Sequence, residues 1–157
     1  PPTITTPYTV IDPPSSKRGF SGAHTGSQHE DSRLAASLGW AAPLQNPRTY
    51  TDWISIGNET DGDIGIVGVK IMPRADIHKQ HITTFTAEYS SDNINYYDVD
   101  DGSTFSTNFT HTASPHANQE SLNYFTTPVL AQYIRITPTE AYNWISMRAG
   151  LIQGTIA

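Results

Sequence analysis

The side chains in this chain best suited to acid–base or metal chemistry are six histidines: His24, His29, His78, His81, His111 and His116. None stands in an HExxH spacing or another strong metal signature. His78 and His81 lie three apart in one stretch, enough for two ligands to a transition metal, but nothing nearby completes a set. Solvated loop histidines are the preferred reading. Asp98, Asp100 and Asp101 form an acidic turn that is similar to a calcium loop in composition only. It lacks the further oxygen positions and the closing Glu of an EF-hand, so a surface carboxylate cluster is preferred there. A Gly-x-Ser-x-Gly elbow and a phosphate-cradling glycine motif are both missing. With no cysteine, thiolate catalysis, disulfides and cysteine-based zinc sites are excluded together. An enzyme is not expected.

Composition narrows the field further. A chain of 157 residues suits one domain with a real core. Charged residues are only 15%, and Gly and Pro number 11 each, which fits many short strands joined by turns better than helices. The net charge of −6 argues against a nucleic-acid partner, because phosphate binding needs clustered Lys and Arg. No apolar run approaches the roughly 20 residues of a membrane-spanning helix. No signal peptide opens the chain, which points to a mature or excised piece or to export by another route.

The elements that must position any site read as strands. In Ile82 to Asp98, Phe85, Ala87 and Tyr89 share one face at period two. Ser90-Ser91-Asp92-Asn93 then makes a tight turn before Tyr96 to Val99 resumes an extended pattern, giving a β-hairpin. Ile64 to Met72 is nearly all apolar, as expected of a strand buried on both faces. Trp53 to Gly57, Gln132 to Pro138 and Trp144 to Arg148 read as further strands. The proline-rich residues 1–18 read as an extended lead-in that hugs the domain or acts as a linker, and residues 19–157 as the domain itself. The fold class is all-β, a sandwich or barrel, with Trp53, Val67, Val69, Phe85, Tyr89, Ile134 and Ile136 in one core.

Six blocks carry a resemblance: Trp53–Gly57, Val67–Val69, Arg74–Asp76, Thr83–Asp92, Ala131–Pro138 and Ile145–Leu151. In this order they resemble the discoidin, or coagulation factor 5/8 C-type, domain over about residues 20 to 152, in flavour nearest to discoidin-type lectins. The resemblance implies a jelly-roll-like antiparallel β-sandwich, termini together at one end and binding loops at the other. Three departures stand out. The family's disulfide between the termini is missing, Tyr96 replaces a usual Trp, and Asn93 replaces a usual Gly.

The resemblance also implies binding through the loops Gly19–Asp31, Pro73–His81 and Ser106–Ser121, bordered by the return near Tyr142. Lipid-binding members need apolar tips with basic neighbours. Here Phe20 and Ile77 are the large apolar candidates in the first two loops and basic residues are sparse, so membrane binding is expected to be weak or absent. Sugar-binding members need planar hydrogen-bonding groups for ring hydroxyls and an aromatic face. Arg74, Asp76, His78, His81, His24 and Asn143 would supply the first, and Tyr142 or Trp144 the second. Trp144, flanked by Ile145 and Met147, is expected in the core, and Tyr142 is expected to be exposed. An internal Arg74–Asp76 pair capping a turn competes with a binding role for that segment.

The expectation is thus a non-catalytic extracellular adhesion module for glycans or glycoconjugates of galactose type. The alternative is anionic membrane or a cell-surface protein bound through the same loops. Many relatives carry a structural calcium near the ligand end, but the acids here are scattered, so no cofactor is assigned. Asn58-Glu-Thr60 and Asn108-Phe-Thr110 are sequons compatible with secretion.

Overall fold

The computed structural model describes residues 3–157. Strand formation follows the period-two pattern wherever the sequence shows one. The first sheet contains β1 (Ile4–Ile11), β5 (Ile64–Met72), β9 (Ser121–Ala131) and β11 (Ser146–Ile156) in the order β1-β11-β5-β9, with β3 (Trp40–Ala41) also pairing β11. The second runs β2-β4-β10-β6-β7, built from β2 (Arg18–Phe20), β4 (Ile54–Gly57), β10 (Tyr133–Tyr142), β6 (His81–Ser90) and β7 (Tyr97–Asp98), with β8 (Phe105–Ser106) on β6. All pairings are antiparallel. Helix is confined to single 3-10 turns among the described residues.

Between the sheets lies one core, with Trp40, Phe85, Ile54, Ile56, Ile66, Ile71, Ile134, Ile136, Met147 and Leu151 fully enclosed. Burying a side chain of this size contributes about 1.5–3 kcal/mol, which is what holds two half-apolar sheets face to face. The pairing of β6 with β10 slips on either side of Glu140, and the slip turns Ile82 inward alongside Phe85 and Ala87. Three of the seven expected core residues sit differently. Val67 is buried outside the main cluster, and Tyr89 packs half-buried against it. Trp53 faces outward instead: the Arg135 guanidinium lies 3.8 Å over its ring and 3.7 Å from that of Tyr96, a cation held between two aromatic faces. Tyr96 therefore keeps the large ring its position needs, and Asn93 takes the left-handed conformation (φ 61°) and accepts the Tyr96 hydroxyl at 2.6 Å.

The proline-rich lead-in does not stand apart from the sandwich. Residues 4–11 are the edge strand β1, and the Ala157 N–H donates to the Thr3 carbonyl, so backbone pairing joins the termini without a disulfide. Arg18, at the other end of the lead-in, is buried and donates to the carbonyls of Pro13, Ser32 and Ala149 as well as to Asp12 at 2.7 Å.

The two sequons differ sharply. Asn58 is buried, its amide donating to Gly62 and Gln132 carbonyls and its oxygen accepting from Thr60. Asn108 is exposed with φ 59°. If the chain is produced through a eukaryotic secretory pathway, intact-mass and peptide mapping should place glycan on Asn108 and none on Asn58 in folded material. Asn58→Gln should lower stability by about 1–3 kcal/mol in urea titration by leaving buried partners unpaired.

Candidate ligand site at the loop end

The loops Gly19–Asp31 and Pro73–His81 converge because short backbone bonds tie each of them to the segment Leu38–Ala41, and a further bond closes the second loop on itself. The His24 N–H donates to Ala41 of β3 at 2.8 Å, the Ala75 N–H to Leu38 at 2.7 Å and the Arg74 N–H to Gln80 at 3.1 Å. The Trp40 indole, buried beneath, donates to the Gly22 carbonyl at 3.0 Å. A pocket of about 200 Å³ results, lined by His24, Ser27, Asp31, Leu38, Gly39 and Arg74. A side chain at Gly39 would press on the Arg74 backbone at 3.3 Å, so glycine keeps this wall recessed. Trp144 stands edge-on to His24, ring centres 4.8 Å apart.

Arg74 grips Asp76 through two bonds of 2.8 Å, and the same carboxylate accepts the His78 N–H at 3.0 Å. Burial raises the Asp76 pKa, but these donors outweigh it and hold the group below the usual carboxylate range. The capped-turn arrangement is therefore real. It is also compatible with binding, since Nη1 of Arg74 has no partner among the described residues and the pair fixes the guanidinium at the pocket wall.

Of the seven expected ligand residues, the pocket brings together His24 and Arg74, with Asp76 behind them. His78 is exposed in the same loop, and exposed Asn143 spends its amide on the Lys79 carbonyl at 2.8 Å. His81 is no solvated loop histidine. It opens β6, is buried, and its Nδ1 lies 2.9 Å from Nε2 of His116, itself buried. Tyr142 ends β10 and is half-buried instead of exposed, stacked on His81 at 5.3 Å and on His111 at 4.7 Å. Trp144, expected in the core, is half-buried, its ring edge-on to His24. Asp31 and Leu38 were missed as pocket residues. Asp31 sits at the end of a loop singled out from the sequence, whereas nothing local marks Leu38.

Behind the pocket, one residue ties together the Pro73–His81 loop, the Ser106–Ser121 loop and the segment around Leu34. Arg148 is buried in β11 and donates to the carbonyls of Pro73, Leu34 and Ala117 at 2.8, 2.7 and 2.7 Å. Burial lowers its pKa from the ordinary guanidinium value. Its three acceptors come from three separate segments, and Pro73 directly precedes Arg74.

A family model described as the F5/8 type C domain matches residues 15–151. Coagulation factor V of Sus scrofa is 30% identical over 77% of this chain, a match spanning 6% of that protein. Among solved structures, discoidin II from Dictyostelium discoideum superposes with a TM-score of 0.69 at 19% identity, over 95% of this chain and 60% of that one. The family 32 CBM from C. perfringens NanJ, solved in complex with galactose, gives 0.63 at 14% identity over 92% and 98%. CpGH89CBM32-5 from Clostridium perfringens, in complex with GalNAc-β-1,3-galactose, gives 0.67 at 16% over 91% and 99%. At such identities the structural likenesses speak for the fold. The chain spans less than two thirds of factor V and of discoidin II.

Proposed function

The chain belongs to the F5/8 type C domain family, and from that premise we propose that it is a non-catalytic, extracellular recognition module binding galactose-type glycans between His24 and Arg74. The observation that carries the reading is the pocket itself. A fixed guanidinium, an imidazole and the Asp31 carboxylate face one small cavity, with Trp144 beside His24 and Leu38 on the wall. Donors and acceptors in that number suit vicinal hydroxyls, and the apolar edges suit a sugar's C–H side. Similar folds solved with galactose and with GalNAc-β-1,3-galactose support the ligand class. A glycan array followed by titration calorimetry tests it. Arg74→Ala should weaken binding of a galactose-terminated oligosaccharide by about 10- to 100-fold, the worth of a charge-assisted hydrogen bond, with little change in melting temperature. Wild-type affinity in that variant would overturn the assignment.

A second reading rests on Ile77, 92% exposed at the tip of the Pro73–His81 loop with Lys79 close by. One apolar tip with one cation makes a poor anchor for a chain of net charge −6, and vesicle sedimentation should show weak, salt-sensitive retention on phosphatidylserine. Tight retention at physiological salt would reverse the order of the two readings.

A further inference from the structure

The Ser106–Ser121 loop is long for the ties that hold it. At its start Thr107 is buried, its N–H bonded to the Thr83 carbonyl at 2.9 Å and its hydroxyl to that of Ile82 at 2.8 Å. Beyond that point Phe109 meets His81 edge-on with ring centres 5.4 Å apart, and His111 stacks on Tyr142. Nε2 of His116 lies 2.9 Å from Nδ1 of His81, the Ala117 carbonyl accepts from Arg148, and Glu120 pairs with Lys70 just before β9 begins. Tyr142 is itself stacked on His81. The Phe109, His111 and His116 contacts therefore converge on one buried imidazole. The same imidazole closes the Pro73–His81 loop that carries Arg74. Arg148 adds a second link, joining Ala117, next to His116, to Pro73, next to Arg74.

Two imidazoles at hydrogen-bond distance stay together only while one of the facing nitrogens is free of a proton. When both rings are charged, two N–H groups oppose each other and the contact breaks. The surroundings resist charge well before that stage. Nδ1 of His116 is buried with no partner, and Lys79 and His111 bring positive charge from the two loops. Exposed His78 precedes Lys79, and Tyr142 is the titratable group of β10 against the pair. The carboxylates on these elements are engaged or outside: Asp76 is held by Arg74, Glu120 by Lys70, and Glu140 is exposed two residues before Tyr142. Burial first, and then the neighbouring cations, lower both imidazole pKa values, that of His81 to about 4. We propose that the Ser106–Ser121 loop is a proton-operated latch: acid charges the His81–His116 pair, frees the loop, and through Arg148 loosens the Arg74 wall of the ligand pocket. This regulation rests on the loop-end reading of the ligand site. Closed and ligand-competent at neutral pH, the domain releases its glycan in acid. An imidazole in the open loop takes its proton near pH 6.5 and His81 in the closed one near 4, so each pH unit between favours opening about tenfold.

The test is amide hydrogen exchange on the full chain without ligand, read by NMR from pH 7.5 to 4.5 and corrected for the intrinsic pH dependence. The opening equilibrium at Thr110, Asn118 and Gln119 should rise about 50- to 100-fold over that range. The amides of Arg74 and Ala75, bonded to Gln80 and Leu38, should follow, while those of β5 and β11 stay the slowest class. His81→Phe keeps a ring against Phe109 and Tyr142 but takes no proton, and should cut the response at least fivefold. His116→Gln, which can still bond His81 but cannot be charged, should do the same where the first variant fails to fold. Lactose calorimetry then reads release: tenfold or more weaker binding at pH 4.5, largely recovered in His81→Phe, which separates the latch from the pocket's own His24 and Asp31. Loop amides indifferent to pH, or opening without Arg74 and Ala75, would overturn the proposal. So would β5 and β11 opening in parallel, which is global unfolding, or a full response in both variants. Exchange as expected with no lactose binding at pH 7.5 would support the latch and overturn the ligand reading alone.

Discussion

Arg148→Met is expected to lower the melting temperature by about 10 °C or more and to weaken glycan binding even where the fold survives. Methionine keeps much of the buried stem but none of the donors, so the carbonyls of Leu34, Pro73 and Ala117 lose their partner together. Stranding buried acceptors costs about 1–3 kcal/mol each, and disrupting a buried charged network about 3–5 kcal/mol in all. For a domain of this size each kcal/mol moves the midpoint by about 2–4 °C. Arg148→Lys should recover less than half of the loss, because a single ammonium cannot reach three acceptors set by a planar fork. Thermal denaturation by circular dichroism checks the first effect and calorimetry at 15 °C the second. A shift below 3 °C would mean that the loops hold their places without the clasp.

The second large effect is on acid stability. His81 and His116 share one proton across 2.9 Å, and Nδ1 of His116 is buried without a partner. Around them stand His111, Lys79, Tyr142 and Phe109, and no carboxylate is among the groups that shift them. Burial, then the His116 and His111 charges, push the His81 pKa down to about 4 from 6.5, and burial with Lys79 and His111 lowers that of His116. Because the folded pKa is depressed, the unfolded chain takes up the proton first. The contribution is fully present above pH 6.5 and is lost as the pH falls toward 4. Over that window it amounts to about 3 kcal/mol from His81, at roughly 1.4 kcal/mol per pH unit, with His116 adding in the same direction. Urea midpoints measured from pH 7.5 to 4.5 should fall accordingly. His81→Phe, which keeps a ring against Tyr142, should flatten the slope while lowering the pH 7 midpoint slightly. An unchanged slope in that variant would show that other groups control the acid limb.

How much of this was legible in the sequence follows from the range of the forces involved. Alternation along β6 and the apolar run of β5 are local signals, and those strands lie where the pattern puts them. Six short blocks in order were enough to reach the family. Sidedness was harder: Trp53 and Trp144 read as core because a strand aromatic looks alike on either face, and only the partner decides. Arg135 is that partner for Trp53, and His24 for Trp144. Tyr142 lost its exposed face to His111, 31 positions earlier in the chain, a contact that no window of sequence contains. Arg18 and Arg148 were invisible for another reason. Most of their acceptors are backbone carbonyls, which every residue carries and no residue type announces. Of the candidate ligand residues, loop membership brings His24 and Arg74 to the wall of one pocket, while packing takes His81 and Tyr142 elsewhere.

The pairing of Thr3 with Ala157 bears on how the domain carries load. Both ends of the described chain leave the sandwich at one corner, on adjacent antiparallel strands, while the loop that begins β11 lies at the far end of that strand. A pull on the two termini therefore acts across the rungs of the β1–β11 ladder and opens them one after another, as a zipper, instead of shearing them at once. Tethered by its ends, the domain would let β1 peel at low force and re-zip when slack.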